Sequence, residues 1–311
     1  MKVLVTGGTG FVGTHFIEHL LGDPDWEIYS LERITSQPNK LGSLAFSPQL
    51  HRVYHDFTAD FPDWLLKELS GVDYIVHIGA EVHGLRSLEN PELFVRADAL
   101  GTFNLLEAAR KLKPKKFIYV STAETLGETN DFSPEDTVLA PPTPYAAAKA
   151  IGETLVQSYH HSYGIPALIV RSLVLFGERQ GTNRFMPTVL KTILSGQPVT
   201  LHVGPNGKSA ARHFLHIREF VKALSWLLEN GQPDIYHVIG EEKSIAEVID
   251  LIGKASGRAF RVQPMAIPSK SHAMRFALQD TKLTGVYCPD TVDEDLVATV
   301  KWYKENEEWL Q

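Results

Sequence analysis

Short runs of β-branched and aromatic residues alternate along the chain with longer stretches in which apolar residues return every three or four positions. "KVLV" leads into a helical pattern over 11–21, and "EIYSL" and "RVYHD" follow. "DYIVHIGA" leads into 91–112, "KKFIYVS" into 144–163, and "PALIVRSLVLFG" closes the series. Within 91–112, Leu93, Ala97, Leu100, Phe103, Leu106 and Ala109 keep helical spacing. Gly164-Ile165-Pro166 stops the next helix ahead of a strand at 167–171. Strands apolar on both faces need cover on both sides. The alternation therefore predicts βαβ units building a parallel sheet between layers of helices, an α/β fold.

After about residue 178 the rhythm changes. Helical "FMPTVLKTILSG", a short strand "VTLHV", helical "REFVKALSWLLEN", strand "DIYHVI" and helical "IAEVIDLIGKAS" follow without regular βαβ order, and a helical tail over 291–309 closes the chain. The expectation is a larger unit over 1–178 and a smaller α/β lobe over 179–311, with some chain crossing between them.

Composition narrows the function classes. An apolar fraction of 43% and a charged fraction of 22% are those of a soluble globular protein. A net charge of −7 without basic clusters argues against nucleic-acid or anionic-membrane partners. No apolar stretch approaches the ~18 residues of a membrane span, and "MKVLVTGG" leaves no room for a leader. The lone Cys288 allows no intrachain disulfide, which fits a reducing compartment, and the sequence shows no zinc-type Cys/His spacing. A cytoplasmic enzyme or binding protein, without a metal, is the expectation.

"TGGTGFVG" follows the first strand directly and opens the first helix, placing Gly7, Gly10 and Gly13 where a tight turn, a close approach to a pyrophosphate and helix-on-strand packing need them. The helix start at Phe11 and Val12 then faces the phosphates. Glu32 ends the next strand, where a carboxylate grips adenosine ribose hydroxyls and repels a 2′-phosphate; the neighbouring Arg33 would instead welcome that phosphate. The pair favours NAD and leaves NADP as the alternative. Asp56 and Phe57, after the third strand, are candidates for the adenine edge.

"PPTPYAAAKAIGETL" sets Tyr145 and Lys149 four residues apart, on one helix face. A lysine ammonium beside a phenol favours the phenolate, so Tyr145 becomes a candidate base. Together with the glycine loop, this pair resembles the extended short-chain dehydrogenase/reductase family, its NAD-dependent epimerase/dehydratase group acting on nucleotide-linked sugars. The resemblance runs over nearly the whole chain: "VHIGAEVHGLRSLENPELFV", "ALGTFNLLEAAR", "RSLVLFGERQ", "ARHFLHIREFVKAL" and the "WY" near the tail are similar to its landmarks. It implies a Rossmann-type doubly wound sheet, a C-terminal lobe for a nucleotide-diphosphate sugar, a homodimer through the helices near 91–112 and 144–163, and Ile78, Gly79 and Ala80 against the cofactor.

The resemblance also implies roles in "STAETLGE". Thr122 holds the sugar's 4-hydroxyl, Tyr145 takes its proton as C4 is oxidised, and Glu124 removes the C5 hydrogen acidified by the 4-ketone, as in 4,6-dehydratases and nucleotide-sugar decarboxylases. Glucose-type dehydratases carry an aspartate where Ala123 stands, whereas mannose-type ones let the glutamate move the proton. Glu81 and His83 resemble the dehydratase "AESH" pattern, with Val82 for its serine. Arg184, Arg212 and Arg275 match positions that grip diphosphate or nucleotide, a task for a forked cation. Two positions depart from the family: Val174 replaces the asparagine of "NxYGP", and Asp98 that of "xNVxGT". The reading is 4,6-dehydration, with 4-epimerisation, uronic-acid decarboxylation and a catalytically silent NAD(P)-binding protein as alternatives.

Overall fold

The computed structural model describes residues 1–35, 41–82, 84–267 and 275–311. The chain runs through β1 (Lys2–Thr6), α1 (Phe11–Leu20), β2 (Glu27–Glu32), β3 (Leu50–Tyr54), α2 (Asp63–Glu68), β4 (Tyr74–His77), α3 (Gly84–Glu89), α4 (Pro91–Phe94), α5 (Gly101–Leu112), β5 (Lys116–Thr122), β6 (Thr129–Ser133), α6 (Pro144–Tyr163) and β7 (Ala167–Ser172). It continues with β8 (Val174–Phe176), α7 (Phe185–Leu194), β9 (Val199–Val203), β10 (Ala211–His216), α8 (Ile217–Asn230), β11 (Ile235–His237), β12 (Glu241–Ser244), α9 (Ile245–Ser256), β13 (Val262–Ala266), β14 (Phe276–Leu278) and α10 (Val292–Glu305).

Seven parallel strands form the central sheet in the order β11-β7-β5-β4-β1-β2-β3. Strand residues alternate between two cores. Val3 and Val5 of β1 and Leu168 and Val170 of β7 pack with α1 and α8. Leu4, Phe117, Tyr119 and Ile169 face the other way, against α2, α5 and α6. Burying each such Val, Leu or Phe is worth about 1.5–3 kcal/mol relative to exposure. A third core, built on Phe176, Leu190, Phe214, Ile249 and Tyr303, holds α7, α9, α10 and β10 together. Residues Leu215 to Val238 return to the core beside β1 and α1 although they follow α7 in sequence.

The structure departs from the sequence pattern in two places that matter for the site. "PALIVRSLVLFG" is not one strand: β7 belongs to the central sheet, and β8, one residue later, pairs in parallel with β10 of a separate sheet ordered β12-β10-β8. The chain crosses between sheets at Leu173. The 91–112 stretch is α4, then a π-helical turn over Val95–Leu100, then α5. Such a wide turn shifts the helical phase. It carries Asp98 inward, to 1% exposure, and leaves Leu100 and Phe103 at 38% and 39% despite their apolar spacing. Among the described residues, no helix is long and apolar enough to cross a membrane.

Candidate active site

The strand order reverses direction between β1 and β4, so the loops after them diverge and leave a crevice at the strands' carboxyl ends. A cavity of about 540 Å³ lies there, lined from β1–α1, the β4 end, the β5 end, α6, the β7–β8 crossing and the start of α7.

Its floor is the glycine loop. Gly7 sits at φ +72°, and a Cβ there would lie 2.8 Å from the Gly79 backbone. At Gly13 a Cβ would lie 2.2 Å from the Gly7 carbonyl oxygen, so the helix packs this closely on the loop only because Gly13 carries no side chain. Gly10 differs: its missing Cβ meets only Gly7 O, at 3.1 Å, which leaves the rest of that direction open beside the cavity. Gly10 N–H donates to Gly7 O at 2.9 Å, and α1 starts with no side-chain cap. The first N–H groups of α1, at Phe11, Val12 and Gly13, therefore lack helical acceptors and border a glycine-lined space, a fitting cradle for a pyrophosphate. Ile78, Gly79 and Ala80 line the facing wall.

The expected adenosine residues stand outside this cavity. Glu32 is 2% exposed, and its carboxylate is held by Arg52 of β3 (Nη2–Oε2 2.7 Å, Nε–Oε2 3.0 Å) and by the Ser30 hydroxyl at 3.0 Å. Arg52 is the partner that sequence reasoning missed. It pairs in register with Ser30, two residues from Glu32 on the same face, so the alternation itself could have found it. Arg33 is drawn towards Glu81 (3.6 Å), which also lies 3.7 Å from Arg86. Asp56 is exposed and accepts from Thr58 N–H at 3.0 Å. Phe57 is buried where Cβ atoms on Gly79 or Gly101 would touch its ring, under the fourth strand's end.

The catalytic candidates converge. Thr122 ends β5 and caps the 3₁₀ turn Ala123–Leu126, its Oγ1 accepting from Glu124 N–H at 3.3 Å. Thr143 caps α6 by accepting from Ala146 N–H at 3.1 Å, and Pro144 fills the first helical position. That start places Tyr145 in the first turn, hydrogen-bonded to the Thr122 hydroxyl, and Lys149 one turn on. The Lys149 ammonium donates to Val120 O at 2.6 Å and lies 4.2 Å from the Tyr119 ring centre. Thr122, Glu124, Tyr145 and Lys149 all line the cavity.

Burial pushes the Tyr145 phenol well above its ordinary range, and the carboxylates of Glu124 and Asp98 add to this. The Thr122 hydrogen bond and Arg184 oppose them. In the protein alone, then, the lysine does not bring the phenol down as the sequence spacing suggested. Burial also raises the Glu124 carboxyl, against the pull of Arg212. Glu124 has no acidic neighbour in its turn: the Ala123 methyl beside it is fully buried.

α6 is fixed by residues that the sequence reading did not single out. Glu153, one turn after Lys149, pairs with the buried Arg171 of β7 (Nη2–Oε2 2.6 Å) and accepts from Ser121 Oγ at 2.6 Å. Ser121, Ser172, Gln180 and Asn183 also line the cavity.

Of the three arginines, Arg184 lines the cavity and is oriented by Val82 O at 3.5 Å. Arg212 lines an adjoining hollow of about 660 Å³ that shares Val174 and Arg184 with the first and adds Thr188, Thr192, Thr200 and His202. Arg275 lines neither; both its Nε and Nη2 donate to Glu242 at 2.6 Å. Glu81 lies behind the wall, its N–H donating to Asp98 Oδ1 at 3.0 Å. His83 falls outside the described residues.

The chain is similar to known proteins over its whole length. The model of a family described as the NAD dependent epimerase/dehydratase family matches residues 3–239. A dTDP-glucose 4,6-dehydratase of Streptomyces niveus is 31% identical over 324 residues, covering all of this chain and 95% of that relative. The low-salt glycan biosynthesis protein Agl12 of Haloferax volcanii is 32% identical, covering 99% and 100%. Among solved structures, the dTDP-glucose 4,6-dehydratase DesIV of Streptomyces venezuelae, with NAD bound, superposes with a TM-score of 0.92 at 30% identity and full coverage of both chains. A UDP-glucuronic acid 4-epimerase of Bacillus cereus, in complex with UDP-glucuronic acid and NAD, gives 0.90 at 25% identity, covering 98% of this chain and all of that one.

Proposed function

The chain belongs to the NAD-dependent epimerase/dehydratase family, and from that premise we propose that it oxidises a nucleotide-diphosphate sugar at C4 and then eliminates water across C5–C6. The observation that carries the reading is Glu124, a carboxyl in the same cavity as Thr122 and Tyr145.

NAD, when bound on the Gly7–Gly13 loop, supplies a reversible store for the hydride of C4. The residues of this chain do the proton work. Thr122 positions the 4-hydroxyl against Tyr145, whose phenolate form takes its proton, with the Lys149 ammonium behind it to favour that form. The resulting ketone acidifies C5–H. Glu124 removes that proton and returns it to the C6 oxygen as the C6–O bond breaks, so one water leaves; the stored hydride would then go to C6 and a solvent-derived proton to C5, which leaves a 4-keto-6-deoxy sugar and no net change in the cofactor. With a methyl at Ala123, a single carboxyl serves as both base and acid. Burial suits the first half of this, since a raised carboxyl is a stronger base towards C5–H than an exposed one. Arg184 and Arg212, lining the two adjoining hollows, would hold the diphosphate and nucleotide. Arg275, committed to Glu242, would join them only by exchanging partners.

Val95, Leu100, Phe103 and Ile151, exposed on the 91–112 and 144–163 helices, support a homodimer through that face. Light scattering would test it.

Incubation of the NAD-loaded enzyme with UDP-, dTDP-, GDP- and CDP-sugars, followed by mass spectrometry, tests the chemistry. Loss of one water supports elimination. Unchanged mass with altered retention would replace it with the 4-epimerase reading, which the missing acid at Ala123 favours. Loss of carbon dioxide would replace it with decarboxylation.

A further inference from the structure

The π-helical turn Val95–Leu100 packs on α6 and brings a carboxyl into the protein behind the active site. Asp98 is 1% exposed. Oδ1 accepts from Glu81 N–H at 3.0 Å, and Oδ2 has no hydrogen-bond partner among the described residues. Lys149, 2% exposed, has the complementary defect: among the described residues its ammonium makes one hydrogen bond, to Val120 O. A buried charge left half-satisfied is strongly unfavourable unless an opposite charge lies near. Each of these two lies within electrostatic reach of the other. Glu81 from the β4–α3 loop, Tyr119 from β5 and Tyr145 from α6 also act on Asp98 or feel it, while Arg33 and Arg86 are engaged with Glu81.

We propose that Asp98 is a positioning residue, the buried counter-charge that keeps Lys149 an ammonium behind Tyr145. Burial lowers Lys149 from its ordinary range, and the carboxylates of Asp98 and Glu153 work against that fall. Asp98 is itself pushed up to about 7 by burial, with Lys149 opposing, so its charge is present from neutral pH upwards. The proposal rests on the tyrosine–lysine reading above.

Two variants test it. Asp98→Asn keeps the acceptor for Glu81 N–H but not the charge. Turnover at about pH 8 should fall roughly tenfold, and the alkaline limb of its pH profile should move to lower pH, because Lys149 then loses its proton earlier. Asp98→Glu should keep the limb in place. A purely structural role predicts the reverse, with Asn harmless and Glu damaging, and an unmoved limb in Asp98→Asn overturns the proposal.

The second arm needs no substrate, so it decides even if Asp98→Asn does not fold or the assigned reaction is wrong. In Lys149→Met, Asp98 loses its compensating cation and is raised further. A carboxyl raised in the folded state contributes stability that is present at low pH and lost as pH rises through its folded value. The melting-temperature deficit of Lys149→Met relative to the parent protein should therefore be smaller at pH 5 than at pH 8. A deficit equal at both would refute the pairing.

Discussion

Arg171→Met should unsettle the active site from beneath. In the parent protein the Arg171 guanidinium gives Glu153 three contacts, at 2.6, 3.0 and 3.2 Å, and donates a fourth bond to Glu135 O at 2.9 Å. Methionine fills much of the same volume but leaves Glu153, 1% exposed, with only the Ser121 and Thr125 hydroxyls among the described residues, at 2.6 and 3.2 Å. Breaking a buried pair from one side costs about 3–5 kcal/mol. With an unfolding entropy of about 2.1 cal/mol/K per residue, the 311-residue chain loses roughly 5–8 °C in Tm if it unfolds as one unit. Differential scanning calorimetry would measure this. Arg171→Met combined with Glu153→Leu, which removes both charges, should recover most of the loss. A single variant melting within about 1 °C of the parent would refute the claim that this pair fastens α6 to the strand ends.

Other substitutions address the cofactor and the base. Gly10→Leu places a side chain into the open space beside the glycine loop and should abolish NAD binding in calorimetry while the fold persists by circular dichroism; unchanged affinity would move the pyrophosphate elsewhere. Glu32→Ala removes the partner of Arg52 and should shift cofactor preference towards NADP, read as the ratio of dissociation constants, because two cations then stand near the ribose; an unaltered ratio contradicts that placement. Tyr145→Phe should lower turnover by about 10²–10⁴-fold with little change in Tm, as expected for loss of a general base, and full activity would end the dehydrogenase reading.

Much of this was legible in the residues. The glycine loop, the Tyr145–Lys149 spacing and the "STAETL" turn depend on local chemistry, and each stands on one side of the same cavity. The strands of the large sheet were visible because burial on both faces makes them continuously apolar. What escaped depends on pairing between distant segments. The β7–β8 crossing hides in one apolar run because a strand that changes sheets keeps its composition. The π-helical turn hides because Ala97, Leu100 and Phe103 suit a regular helix, and only the inward Asp98 betrays the change of phase. Arg275 matched a family position, yet its guanidinium is committed to Glu242, a partner 33 residues away in sequence.

The central claim is that Glu124 breaks the C5–H bond after Tyr145 has opened the way to the ketone. It is tested most directly by adding a nucleotide sugar that the parent enzyme consumes to NAD-loaded Glu124→Gln, while following reduced nicotinamide by absorbance and C5 by mass spectrometry in deuterated water. The account predicts that reduced cofactor builds up without product and that deuterium enters C5 far more slowly than in the parent enzyme. Normal turnover by Glu124→Gln, with no deuterium at C5 in the parent's product, would contradict it and leave Glu124 a turn carboxylate in a 4-epimerase.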